Sequence, residues 1–182
     1  GKGSLANAFD EVCKYYSAEG QAAPFERQAL IKLRHIAGDA ALGKKVETHR
    51  DSFVYSGAPW DLTVALDLRR QQVKQLVEPG QINLKHSHGG IVTLEYAIQY
   101  LQVMHGHRHP SLRTPNTLRA LAALIDVGLI PRATGENLRK SYLFIRMLID
   151  GLRMVRGNTK DLVIPPPDSD EFIFLARRVG YT

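Results

Sequence analysis

The fifteen residues Ile91 to His105 are apolar round most of a helical cylinder. Ile91, Leu94, Ile98 and Leu101 make one face at helical spacing, and Val92, Tyr96, Tyr100 and Val103 make a second. Only a narrow stripe of Glu95, Gln99 and Gln102 is polar. Such a helix must be surrounded by other elements, because one wet face is too little to leave it on a surface. The rest of the chain supplies the surround in the same periodicity, and strand-like alternation is almost absent. The expected fold is therefore all-α, an up-and-down helical bundle of about six to eight helices.

The helices can be placed from their punctuation. Leu5, Phe9, Val12, Cys13 and Tyr16 share helical spacing up to Gly20. Pro24 opens a second segment, Phe25 to Ala37, stopped by Gly38; a third runs from Asp39 to Val54, softened at Gly43. Asp61 starts a fourth, with an apolar stripe of Val64, Leu68, Val73 and Leu76, broken by Pro79-Gly80. After Ile91–His105, Thr114-Pro115 reads as cap and first turn of a helix whose stripe is Leu118, Leu121, Ala122 and Ile125. Pro131 opens a long helix with a ladder of Leu138, Tyr142, Ile145, Ile149, Leu152 and Val155, ended by Gly157. Asp168-Ser169 caps a last one, Asp170 to Val179.

Composition narrows the function classes. A single cysteine, Cys13, excludes a disulfide scaffold and a multi-cysteine zinc site, and makes a reducing compartment, the cytoplasm, the expectation. No apolar run is long enough to span a membrane. Gly1 to Asp10 has no apolar core of a signal peptide, and the missing initiator Met suggests a processed or excised piece. The net charge of +6 would suit an anionic partner, yet the basic residues are dispersed, so no nucleic-acid partner is expected.

Few residues carry chemistry. Asn83 to Gly90 precedes the central helix with two glycines at its start, flanked by Lys85, His86 and His88. Backbone N–H groups there could meet a phosphate, or the glycines could serve a tight turn with positive φ. The stripe of Glu95, Gln99 and Gln102 faces either a cleft or solvent. His105, His107 and His109 alternate in a connector before Pro110, where solvation is a simpler reading than metal. Glu26, Arg27, Gln28 and Arg34 read as a charged helix face with interdomain pairs, in a structural role. Asp168-Ser169-Asp170 has the spacing of a two-metal carboxylate pair, but after three prolines and before a helix it reads as a cap. No nucleophile elbow is present, so hydrolase chemistry has no support.

Longer blocks carry a resemblance. Phe25-Glu26-Arg27-Gln28-Ala29-Leu30-Ile31-Lys32-Leu33-Arg34-His35-Ile36-Ala37-Gly38-Asp39 resembles the W-E-R-Q-A-L-x-K-A-R-x-V-A-G-D block of the glutamine synthetase adenylyltransferase/deadenylylase family. Leu84 to Leu101 is similar to that family's L-K-x-x-x-G-G-[IL]-x-[DE]-I-E-F-x-x-Q block, of which PII uridylyltransferases carry a weaker version. His109-Pro110, Leu112-Arg113, Asn116-Thr117 and Tyr142 to Arg146 fit the downstream pattern.

The resemblance implies a helical domain that follows a nucleotidyltransferase domain. Residues 1–55 would be the helical tail of that nucleotidyltransferase domain, and 56–182 the helical bundle domain. In the parent enzyme, ATP and Mg²⁺ would serve AMP transfer to a tyrosine of glutamine synthetase, or its reversal. Glutamine synthetase, a PII-type signal protein and the intramolecular nucleotidyltransferase domain are the implied partners. Lys85, Gly89, Gly90, Glu95 and Gln99 would line the interdomain cleft near the nucleotide. No catalytic residue and no metal ligand is expected in this chain, because the family's Gly-Ser…Asp-x-Asp motif is absent from it; alone it should be inactive. Phe25 stands where the family has Trp, and Thr93 where it has an acid. A non-catalytic module recognising glutamine synthetase or a PII protein is the alternative.

Overall fold

The computed structural model describes residues 6–158 and 161–181. Leu5, expected in the first helix, lies outside them. The described residues form eight α-helices and no strand: α1 (Phe9–Tyr15), α2 (Glu26–Leu30), α3 (Ala40–Val54), α4 (Leu62–Leu76), α5 (Ile91–His105), α6 (Thr117–Asp126), α7 (Arg132–Arg156) and α8 (Asp170–Arg178). The all-α expectation therefore holds. No helix among them is long and apolar enough to cross a membrane. The chain groups into two compact units. One contains the chain up to Asp61 together with Ile98–Leu129, and the other contains Leu62–Ala97 together with the chain from Ile130 onward. The assignment changes within α5, between Ala97 and Ile98.

In the first unit, α3 is capped by Asp39, whose carboxylate accepts the N–H groups of Ala41 at 2.7 Å and Leu42 at 3.0 Å. Gly43 does not interrupt α3; it makes room for the His35 ring, which a Cβ at that position would meet at 2.4 Å. The expected helix from Phe25 to Ala37 is shortened to Glu26–Leu30. Two α3 side chains take its backbone groups instead: Arg50 donates to Leu33 O, and Glu47 accepts the His35 N–H at 2.9 Å. Arg27 and Gln28, expected on a charged helix face in a structural role, are buried. Arg27 donates to Ala58 O at 2.8 Å and Pro59 O at 3.2 Å, so its charge clamps the turn after α3. The cap of α6 is Asn116, accepting the Arg119 N–H at 2.9 Å, and not the expected Thr114, which accepts the Asn116 N–H.

The second unit is built on an apolar cluster of Leu84, Ile91, Val92, Ile149, Leu152, Leu162 and Leu175. The α7 ladder supplies Ile149 and Leu152 at i, i+3, and α8 lies against α7. Arg156 closes the end of that pair, donating to Glu171 and lying 2.9 Å from the Asp161 carboxylate. Ser169 caps α8 by accepting the Phe172 N–H at 3.2 Å, the role expected of the Asp-Ser-Asp stretch. The expected α4 stripe is displaced: Val64 and Leu76 are half exposed, and Ala65 and Arg69 occupy the buried face.

Candidate functional site

The segment before α5 is a closed loop in the second unit. Asn83 starts it as an Asx turn, its side-chain oxygen accepting the N–H groups of Lys85 and His86, both at 3.0 Å. Ser87 closes the turn, its hydroxyl taking the Asn83 N–H at 2.8 Å. The loop is anchored from outside by an antiparallel bridge between Asn83 and Val163, with Leu84 donating to Leu162 O at 2.9 Å and Ile164 to Ile82 O at 2.8 Å.

The two glycines do different work. Gly89 is exposed and takes φ +77°, a left-handed conformation that a side chain disfavours. Gly90 is buried, and a Cβ there would stand 2.9–3.0 Å from three carbonyl oxygens, those of Leu84, Lys85 and Ser87. Those carbonyls are close because they take the first donors of α5: Gly90 N–H goes to Ser87 O at 2.9 Å, Ile91 N–H to Leu84 O at 3.0 Å, and Val92 N–H to Lys85 O at 3.2 Å. The helix start thus spends its donors on the loop, which favours the tight-turn reading over a phosphate cradle.

Arg69 of α4 holds this arrangement, and no motif in the sequence had singled it out. Its side chain is buried, and one terminal nitrogen donates to His86 O at 2.7 Å, Ser87 O at 3.2 Å and Thr93 Oγ1 at 3.0 Å. No carboxylate of the described residues pairs with it. Burial holds its pKa below the usual guanidinium range. Thr93, at the position where the resembling block is acidic, is one of its acceptors. The signal available in the sequence was an arginine at i+4 from Ala65, inside a stripe otherwise apolar. His86 is half buried with an unpartnered Nδ1; burial, then the charges of Lys85 and Arg69, push its pKa down.

Lys85 is exposed. Glu95 is half buried one turn into α5 and accepts the Tyr142 hydroxyl at 3.3 Å. Lys85, Gly89, Gly90 and Glu95 thus fall in one unit, within a loop and the helix it feeds. Gln99 falls in the other, buried, accepting the Gln28 amide at 3.0 Å. Gln102 is buried beyond it, donating to Leu112 O at 2.6 Å and Thr114 O at 2.8 Å. A solvent-facing stripe is therefore overturned at both glutamines, whose amides satisfy backbone or side-chain partners inside the first unit. In the histidine series, His107 packs over Gly57 and His105 ends α5. No group of three or more His, Cys, Asp or Glu among the described residues could hold a metal ion.

Comparison with known proteins follows the same regions. Residues 64–182 match the family described as GlnD PII-uridylyltransferase. The chain is 35% identical over 179 residues to a bifunctional glutamine synthetase adenylyltransferase/adenylyl-removing enzyme of Mycobacterium tuberculosis (strain ATCC 25618 / H37Rv), covering 96% of this chain and 18% of that protein. It is 32% identical over 183 residues to the Corynebacterium glutamicum enzyme of the same description, covering 99% and 17%. Against the Hahella chejuensis enzyme the identity is 35% over 151 residues, covering 80% and 15%. The chain thus spans less than a fifth of the length of these relatives.

Proposed function

Because this chain belongs to the family of glutamine synthetase adenylyltransferases and PII uridylyltransferases, we propose that it serves as the helical domain beside a nucleotidyltransferase domain. There it shapes the cleft in which AMP is transferred to a tyrosine of glutamine synthetase, in the regulation of nitrogen metabolism in the cytoplasm. Residues 1–55 are the tail of the transferase domain in this reading, and 56–182 the helical domain. The observation that carries it is the loop from Asn83 to Gly90. Hydrogen bonds to its backbone groups and the buried Arg69 fix its shape, while Lys85 is left in solvent and Glu95 is held by Tyr142 one turn away. A rigid loop that presents a free ammonium suits the positioning of an anionic substrate group.

ATP and Mg²⁺ would supply the activated phosphoryl group and neutralise its charge in the parent enzyme. The described residues of this chain offer no carboxylate cluster for the metal, and Asp168 and Asp170 flank a helix cap. The chain alone is therefore proposed to be inactive. The test grafts Lys85→Ala and Glu95→Gln into the full-length enzyme. Loss of AMP transfer by about tenfold or more at unchanged unfolding midpoint is expected; unchanged kinetics would remove the cleft role.

One observation favours a second reading, in which the chain is a non-catalytic module that binds glutamine synthetase or a PII signal protein. A groove of about 410 Å³ in the second unit is lined by apolar side chains, among them Phe144, Leu148, Leu175 and Tyr181. Retention of purified glutamine synthetase or PII protein by the isolated chain would select this reading. Retention only by the enzyme that includes its transferase domain would select the first.

A further inference from the structure

The wall of the groove between α7 and α8 restricts what it can take. On α8 the wall is Phe172, Leu175, Ala176 and Val179, at i, i+3, i+4 and i+7; on α7 it is Phe144 and Leu148, at i, i+4. The groove, of about 410 Å³, is lined by no charged side chain. Its backbone is closed as well. The N–H groups of Val179, Gly180 and Tyr181 turn back onto the carbonyls of residues 175–177. An extended peptide laid on such a wall would bury backbone groups without partners, whereas a helix brings its own hydrogen bonds with it. Ridges at this spacing also interdigitate with the side chains of a second helix. The apolar surface continues past the groove. Phe144 is 41% exposed, and Leu143, Met147 and Met154 follow along α7 in solvent. From Leu143 to Met154 is roughly 16 Å at the helical rise, about three turns, which is longer than a small molecule needs.

Charge fixes the sign of the occupant. Gly151 of α7 sits against Leu175 and Val179, and Arg156 donates to Glu171, so the two helices run antiparallel and the end of α8 points to the start of α7. At that end stand Lys140, one turn before Phe144, and Arg177 and Arg178 in the last turn of α8. All three are exposed, and none pairs with a carboxylate of the described residues. The nearby carboxylates lie against other arginines: Glu136 is 3.9 Å from Arg132, Asp150 is 3.5 Å from Arg153, and Asp161 and Glu171 meet Arg156. Asp168 and Asp170 lie at the opposite end, the start of α8. Two copies of this chain joined through the groove would bring the free cations together, which disfavours self-association there.

We infer that the groove receives an amphipathic helix of a partner protein, its apolar face on Phe144, Leu148 and Val179 and its acidic residues beside Lys140, Arg177 and Arg178. This rests on the second reading above, in which the chain is a binding module, and adds the form and charge of what is bound.

The whole chain is titrated, by fluorescence anisotropy, with a labelled, end-capped peptide of about sixteen residues that has Leu at helical spacing and Glu elsewhere. A second peptide has Lys in place of Glu, and a third has Pro in mid-helix. Saturable binding of the Glu peptide is expected at least about tenfold tighter than that of either control. Phe144→Asp, at an exposed position, should weaken it about tenfold or more. Lys140→Glu should weaken the Glu peptide and tighten the Lys peptide, an exchange that loss of folding does not produce. Lack of saturable binding, equal binding of the Lys or Pro peptide, indifference to both substitutions, or adsorption to phosphatidylserine vesicles in place of the peptide would each overturn the inference. Peptide binding without retention of glutamine synthetase or PII protein sustains the helix groove and removes the second reading. Retention without peptide binding does the reverse.

Discussion

Leu152 and Gln102 are equally hidden from solvent, at 0% and 1% exposure, but they are held in different ways. Leu152 belongs to a cluster of seven buried apolar side chains in the second unit, where contact area alone is at stake. Gln102 sits in the first unit and satisfies two backbone carbonyls, near a second buried amide pair, Gln28–Gln99, and the buried Arg27. The second unit is thus stabilised by a non-directional effect that tolerates isosteric exchange. The first unit also buries apolar side chains, among them Ile31, Val54, Ile98, Leu112, Leu121 and Leu124, and adds directional bonds whose loss takes a donor from a buried carbonyl. Arg69 is the exception inside the apolar unit, a polar staple placed where the loop before α5 must keep one shape.

Substitutions in each unit test this difference. Leu152→Ala should be the most costly, about 4 kcal/mol from lost transfer energy and the cavity left behind, read as a shift of the urea midpoint. Arg69→Met should cost about 3 kcal/mol by stranding His86 O and taking one donor from Ser87 O, which keeps the Gly90 N–H, with Arg69→Lys recovering only part. If Arg69→Met is neutral, the loop is held by its own turn and the staple is superfluous. Gln102→Met keeps volume and removes both donors; about 2 kcal/mol is expected, and a neutral result would erase the distinction between the units. Gly89→Ala should cost about 1 kcal/mol, through its positive φ alone.

The smallest effect is a pH dependence at His86. Its folded pKa lies below the ordinary value of about 6.5, so the unfolded chain takes up the proton first as pH falls. Stability is full above about pH 6.5 and declines as pH drops through the folded pKa. His86→Asn should flatten that slope in denaturation curves recorded between about pH 7 and 5.

Much of the fold was legible because it rests on local chemistry. The limits of α5 follow from the glycine pair and from its apolar circumference, and the caps Asp39 and Ser169 stand where short polar side chains meet a periodic run. What escaped was tertiary. The sequence around Leu33 to Ile36 continues a helical pattern, and only Arg50 and Glu47, reaching from α3, withdraw its backbone. The buried face of α4 is rotated from its most hydrophobic stripe because Arg69 has carbonyls to meet. At the candidate site, Gly89 and Gly90 could be read as a turn, but Arg69 could not be found without knowing which chain segment lies over α4. Gln99 and Gln102 could be placed on one stripe, and their partners, distant in sequence, could not.

The bridge between Asn83 and Val163 joins residues eighty positions apart, since 163 − 83 = 80. A ribosome making this polypeptide completes α5, α6 and α7 before the segment that anchors the loop exists. The start of α5 can coil early, from neighbours already synthesised, whereas the loop acquires its final form only once residues 162–164 have emerged. Any premature stop within α7 would therefore leave the loop without its bridge to Val163, held only by its own turn and by Arg69.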